Sequence, residues 1–327
     1  MSKLVTIYGG SGFLGRYVAR RLASSGWRIR VAVRRPNEAM FVRPYGAVGQ
    51  VEPVFCNIRD DASVAAAMAG ADAVVNCVGT FDMFGPNDVD AVQHEGAARI
   101  ARLATAAGVS RMVHVSAIGA DPDSKCRYFR SKARGEAAVA AAFPGATILR
   151  PSVMFGSEDR FFNRFAAFTR LSPVLPLIGA NTLFQPVHVD DVAQAAAQAV
   201  AGQADAGVYQ LGGPDIDSFR GLMQRMLTVI QRRRLVIGLP FWVGRLIGLA
   251  GDVMSAFSGH LIGAPVTRDQ VRSLQTDSVV ADGARGLADL GIVPTAAEAV
   301  LPGYLWRFRP SGQFADITAS AKNLRQG

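Results

Sequence analysis

Short apolar runs rich in β-branched residues alternate with Ala- and Arg-rich stretches through the first half of the chain. Residues 4–8, 28–33, 51–55, 73–77, 111–116 and 146–149 read as strands, and 14–24, 61–68, 88–107 and 130–142 as helices between them. Such alternation builds βαβ units, hence a parallel sheet with helices on both faces. The strand runs are continuously apolar, as burial on both faces requires. The pattern predicts an α/β fold with a doubly wound parallel sheet.

After Arg150-Pro151 the pattern changes. Phe155, Phe161, Phe162, Phe165 and Phe168 cluster, two further αβ-like pieces follow at 190–201 and 208–211, and the text turns helical from Phe219 with many Gly and Pro breaks. The expected division is a core of residues 1–150 and a smaller, mostly helical lobe of 151–327 with elements returning to the sheet. The apolar stretch 235–263 is broken by Pro240, Arg245, Asp252 and His260, so no membrane span is expected. The first strand begins almost at Met1, so no targeting segment is expected either.

Composition narrows the classes. With 50% hydrophobic and 19% charged residues the 327-residue chain has material for a large core, which excludes wholesale disorder. Three cysteines, Cys56, Cys77 and Cys126, are too few for a disulfide scaffold and suit a reducing compartment. The net charge is +9, and 31 of the 35 basic residues are arginine. That excess permits an anionic partner or membrane surface. Nucleic acid is not expected as a partner, because no helix-turn-helix, zinc finger or single-strand-binding signature is readable.

The sharpest local signal is Gly9-Gly10-Ser11-Gly12-Phe13-Leu14-Gly15, between the first strand and the first helix. Glycines at Gly9, Gly12 and Gly15 let the backbone turn tightly and approach a pyrophosphate, which the positive end of the helix then attracts. This context identifies a Rossmann-type, dinucleotide-binding core. At the end of the second strand an acidic residue would read the ribose hydroxyl of NAD. Here Arg34 and Arg35 stand instead, with Arg16 after the glycine loop, and guanidinium groups suit a 2′-phosphate. The expected cofactor is NADPH (NADP). Tyr128 and Lys132 lie four apart, on one helical face. Lys132 would lower the phenol pKa and hold the nicotinamide ribose, Tyr128 would serve as acid or base, and Ser116 would orient the reacting oxygen.

Together the glycine loop, Asn76-Cys77-Val78-Gly79, Ser116, Tyr128-Phe129-Arg130-Ser131-Lys132 and Arg150-Pro151 resemble the extended or atypical short-chain dehydrogenase/reductases over residues 1–215. A narrower resemblance covers nearly the whole chain. His114 to Asp121, Tyr128 to Glu136, Gln185 to Ala193, Pro265 to Val271 and Leu301 to Arg309 look like the nucleotide-binding accessory subunit of respiratory complex I, NADH:ubiquinone oxidoreductase.

That resemblance implies a tightly held, structural or sensing NADPH without independent turnover. It implies other complex I subunits of the hydrophilic arm and membrane-proximal region as partners, with anionic lipid headgroups nearby. The seat implied is peripheral, on the matrix side in mitochondria or the cytoplasmic face of a bacterial inner membrane. The residues implied at the cofactor are Gly9, Gly12, Phe13, Leu14, Gly15, Arg16, Arg34, Arg35, Asn57, Ile58, Cys77, Val78, Gly79, Ser116, Tyr128, Lys132, Pro151 and Val153. Two departures stand out. Asn57 replaces an Asp that reads the adenine in many extended members, and the spacing from Ser116 to Tyr128 is tight for a working triad. The competing reading is a free-standing NADP-dependent reductase or epimerase using Tyr128, Lys132 and Ser116, and a third is a sensor of NADP(H) occupancy.

Other features fit structural roles. His188 and Asp190 lack metal-ligand partners at suitable spacing, so no metal site is expected, and Asp190 reads as a helix N-cap. Arg232-Arg233-Arg234 ahead of Phe241–Leu249, and the Phe/Arg stretch 159–171, read either as membrane-interface helices or as core and protein contacts.

Overall fold

The computed structural model describes residues 3–257, 267–310 and 312. His260, the first two residues of the Pro265–Val271 motif and the polar tail after Gly312 lie outside the described residues.

In chain order the elements begin with β1 (Leu4–Tyr8), α1 (Phe13–Ser24), β2 (Arg28–Val33), β3 (Val51–Phe55), α2 (Asp61–Met68) and β4 (Ala73–Asn76). Next come α3 (Gly96–Ala106), β5 (Arg111–Val115), α4 (Arg127–Ala142), β6 (Thr147–Pro151), β7 (Met154–Phe155), α5 (Phe162–Phe168) and β8 (Val174–Ile178). They continue with β9 (Leu183–Phe184), β10 (Val187–His188), α6 (Val189–Ala201), β11 (Gly207–Leu211), β12 (Asp217–Ser218) and α7 (Phe219–Val229). The last are β13 (Leu235–Leu239), α8 (Phe241–Phe257), α9 (Arg268–Ser273) and α10 (Ala297–Leu305).

The chain divides into two compact units. The first comprises Met1–Ser152, Val189–Gly212 and Val280–Pro294. It is a Rossmann-type fold around a seven-stranded parallel sheet in the order β11-β6-β5-β4-β1-β2-β3. Val5, Ile7, Val31 and Val75 are fully buried in its centre. Tyr8, Val74 and Met112 meet Val64, Ile100 and Val139 of α2, α3 and α4, forming one apolar layer. On the other face α1 and α6 pack together, and the Asp190 carboxylate grips Arg21 with both oxygens at 2.7 Å. Asp190 is therefore not the expected N-cap: α6 starts one residue earlier, and the carboxylate is used for this bridge. The strand order reverses between β1 and β4, and the crevice beyond their carboxyl ends is where such sheets bind ligands.

The helix expected over 88–107 is interrupted. Asp90–Glu95 forms a π-helical turn before α3 begins. Gly135 of α4 fits against it, since a Cβ there would lie 2.1 Å from the Gln93 carbonyl.

The second unit comprises Val153–His188, Gly213–Val279 and Thr295–Gly327. It combines helices with three two-stranded pairs, β7–β10, β9–β12 and β8–β13. Phe155, Phe162, Leu177, Met223, Met226 and Leu305 form the centre of its core. Phe161 and Phe165 pack against Phe219 at centroid distances of 5.6 and 5.3 Å, the first tilted and the second edge-on. This corrects the membrane-interface reading of 159–171: the aromatic stripe is core, and only Phe168 of its rings is exposed. Among the described residues, no helix is long and apolar enough to cross a membrane.

Candidate functional site

The glycine loop leaves β1 at the sheet's reversal point. Gly9 has φ +75°, and a Cβ there would meet the Cys77 carbonyl carbon at 3.2 Å. The Gly9 carbonyl closes the turn by accepting the Gly12 N–H at 2.9 Å. Gly15 brings α1 against the loop so closely that a Cβ would sit 2.4 Å from Gly9 O and 2.6 Å from Gly10 Cα. Gly12 occupies the N-cap with extended backbone, and no side chain caps α1 there. The first N–H groups of α1, from Phe13 and Leu14, thus lack the side-chain acceptor that Asp60 provides for α2.

Arg16 folds back over this loop. Its Nε and one terminal nitrogen reach the Gly12 and Ser11 carbonyls at 3.3 and 3.1 Å, and its guanidinium lies 4.7 Å from the Phe41 ring centre. Arg34 and Arg35 are exposed just past β2, and Arg35 pairs with Glu38 at 2.9 Å.

Along the next strand ends, Asn76 is a polar side chain buried in an apolar strand. Its Oδ1 accepts the Val78 N–H at 3.1 Å, which shapes the Cys77-Val78-Gly79 turn. Its amide nitrogen then faces His114 Nδ1 at 3.1 Å, which assigns the imidazole proton to Nε2. That Nε2 has no partner among the described residues. Burial, helped by the Lys132 charge, lowers His114 to about 3, so the ring is neutral. Asn76 and His114 stand among the motifs but were not expected at the cofactor, although a polar residue within an apolar strand was the available signal.

Lys132 is buried on α4 and donates from Nζ to the Val115 carbonyl at 3.0 Å. Burial lowers its pKa to about 8 against the opposing pull of Glu136 and Cys77. A Cβ added at Gly79 would lie 3.8 Å from Nζ, so the Cys77-Val78-Gly79 turn runs beside the ammonium. Burial raises the Cys77 thiol to about 12, opposed by Lys132, so it stays protonated at neutral pH. Ser116 Oγ is buried without a hydrogen-bond partner among the described residues. It therefore does not hold the Tyr128 hydroxyl.

Tyr128 lies under the Phe81 ring, stacked at 4.5 Å and 12°. Its phenol is pushed up by burial, with Cys126 adding to the rise. This is opposite to the lowering expected from Lys132, because loss of hydration dominates. Arg127 anchors the loop that carries Phe81: it donates to the Met83 carbonyl and pairs with Asp88 and Asp90.

The remaining expected residues serve their turns. Asn57 Oδ1 accepts the Arg59 N–H at 3.2 Å, while Ile58 lies against Gly96 and its carbonyl takes Arg99. Pro151 is buried at the end of β6, and its carbonyl accepts the Ile118 N–H at 3.1 Å. Val153 begins the second unit.

A tightly turned glycine cradle, an uncapped helix start and an unpartnered buried hydroxyl fit a dinucleotide. Residues 9–203 match the family model described as NAD(P)H-binding. An NADPH-dependent quinone oxidoreductase of Escherichia coli, solved with NADPH, shares the fold with a TM-score of 0.69 at 18% identity, covering 92% of this chain and 98% of that one. Ceramide reductase of Caulobacter vibrioides is 35% identical over 190 residues, which are 58% of each chain. NADH dehydrogenase (ubiquinone) 1 alpha subcomplex subunit 9, mitochondrial, of Arabidopsis thaliana is 34% identical over 326 residues, 98% of this chain and 81% of that relative. This chain binds a nicotinamide nucleotide and belongs to the family of complex I alpha subcomplex subunit 9, within the NAD(P)H-binding Rossmann proteins.

Proposed function

We propose that this chain is an accessory subunit of respiratory complex I that holds NADPH as a structural or sensing ligand. It supports the hydrophilic arm beside the membrane and the quinone site, in contact with other subunits of that arm. In a bacterium its seat is peripheral, on the cytoplasmic face of the inner membrane. The observation that carries this reading is the glycine cradle within a chain similar to subunit 9 over nearly its whole length.

When bound, NADPH supplies a hydride donor. The residues around it favour retention over turnover. The uncapped α1 and the glycine cradle receive the pyrophosphate, Arg16, Arg34 and Arg35 favour the 2′-phosphate, and Lys132 and Ser116 offer polar groups to the nicotinamide ribose. Tyr128 sits beneath Phe81 with a raised phenol pKa, and no bond to Ser116 prepares it for proton transfer.

The test is to isolate native membrane complexes through a tagged full-length chain and identify proteins and nucleotide by mass spectrometry. Complex I subunits with stoichiometric NADPH are expected. A chain recovered free of them, with complex I unchanged after its deletion, would sink the proposal.

The similarity to ceramide reductase over 190 residues favours a second reading, an NADP-dependent reductase acting through Tyr128 and Lys132. Steady carbonyl reduction by exchanged NADPH, lost in Tyr128→Phe, would establish it. A co-purifying nucleotide that does not exchange would reject it.

A further inference from the structure

At the end of α7 the second unit carries a cleft of about 720 Å³. Arg232, Arg233 and Arg234 line it in succession, with Gln224, Thr228 and Leu235 among its other walls. The helix closes there by a tight double turn. Arg232 N–H reaches the Leu227 carbonyl, and Gln231 N–H reaches that of Thr228, each at 3.1 Å. Gln231, which makes the reversal, has φ +54° and is the only non-glycine residue with positive φ among those described. Glycine ordinarily fills this position, since an L side chain is strained in it. The three arginines follow directly from that reversal.

Their charges are held together rather than spread. Arg232 Nε donates to the Phe308 carbonyl at 2.8 Å, and Arg234 Nε to the Thr169 carbonyl at 2.9 Å. Arg170 is fixed nearby through the Arg307 carbonyl at 2.6 Å and over the Phe308 ring at 5.1 Å. No carboxylate among the described residues pairs with Arg170, Arg232, Arg233 or Arg234. Arg225 on the same helix instead takes Asp217 and Glu298. Burial first, then the charges of Arg234 and Arg170, press the Arg232 pKa below its ordinary value. Carbonyl bonds position these guanidinium groups but do not neutralise them, and each keeps further N–H donors. An oxyanion entering the cleft would relieve the repulsion and accept those donors.

We propose that this cleft binds a phosphate-type oxyanion, a phosphomonoester or phosphodiester group, through Arg232, Arg233 and Arg234. The group can come from a soluble phosphorylated molecule or from a lipid headgroup. The inference stands apart from the nucleotide site and from complex I membership.

Both sources are tested on the full chain saturated with NADPH, so that the glycine cradle does not compete for phosphate. One arm titrates inorganic phosphate by calorimetry. The other floats the protein with phosphatidylcholine vesicles with or without phosphatidylglycerol. Binding in either arm is expected, weakened about tenfold or more in the Arg232→Gln/Arg234→Gln double variant, as for loss of a charge-assisted hydrogen bond. Arg233→Gln, whose side chain is exposed, guards against a folding defect and should also weaken binding. Phosphate binding alone assigns a soluble ligand. Flotation that needs phosphatidylglycerol and is reversed by the arginine variants assigns a headgroup. Absence of binding in both arms, or binding unchanged in the double variant and in Arg233→Gln, overturns the proposal.

Discussion

Gly15→Ala isolates what the glycine loop requires. The added methyl carbon would sit 2.4 Å from Gly9 O, 2.6 Å from Gly10 Cα and 3.0 Å from Gly10 C. All three contacts are with backbone, so no side-chain rotation relieves them. Either α1 moves outward or the loop deforms. Forcing a methyl into a packed site costs about 1–3 kcal/mol. For a unit of about 190 residues that corresponds to a melting shift of roughly 2–12 °C. The loop's movement should also release the nucleotide, because the same backbone forms the pyrophosphate cradle. Gly12→Ala is the internal control for stability: its one close approach is 3.1 Å to Gly9 O, at a residue with ordinary negative φ. The assay is thermal unfolding together with the nucleotide content of the purified protein. If Gly15→Ala melts with the wild type and retains its nucleotide, close helix–loop packing is not what builds the site.

Lys132 titrates at about 8 in the folded chain against 10.5 ordinarily, so between these values the unfolded chain binds more protons. Nucleotide-free wild type should therefore gain on Lys132→Met by up to about 1.4 kcal/mol per pH unit across that window and by nothing below it; a pH-independent difference in urea unfolding would contradict this. Glu136→Leu leaves the Arg150 guanidinium, 24% exposed, without the carboxylate that holds it, and should cost about 2–3 kcal/mol in denaturant unfolding. Replacing Arg34 and Arg35 together by Ser should reduce the preference for NADPH over NADH by about tenfold in competitive binding, the scale of one charge-assisted hydrogen bond; an unchanged ratio would move 2′-phosphate recognition elsewhere.

The first unit was the more legible half because its signals are local. Strands β1, β2 and β3 coincide with their apolar runs, and α2 with its Asp60-capped stretch. Gly9 and Gly15 were visible because each meets a backbone requirement that suits glycine, a positive φ at Gly9 and the close helix–loop approach at Gly15. What escaped depends on contacts far apart in the chain. Asp190 resembles a cap until Arg21, 169 residues away, is placed beside it. The stack of Phe81 on Tyr128 comes from a loop whose anchor, Arg127, joins two acidic residues near 90. The direction of the Tyr128 pKa follows from burial, which spacing on a helix does not reveal. The Phe-rich stretch after residue 155 was ambiguous for a similar reason: an apolar stripe looks the same facing lipid or Phe219.

The first unit is written in three separated pieces of chain, and this sets an order of events during synthesis. Its edge strand, β11, and the helix that clasps α1 through Asp190 are translated only after the excursion of residues 153–188. A ribosome-bound chain ending at Ser152 carries the whole glycine loop, yet α1 has no α6 to cover it and β6 has no β11 beside it. The last neighbours of α1 and β6 thus come from chain made after a detour through the second unit, so the first unit closes late in synthesis although its glycine loop is made first.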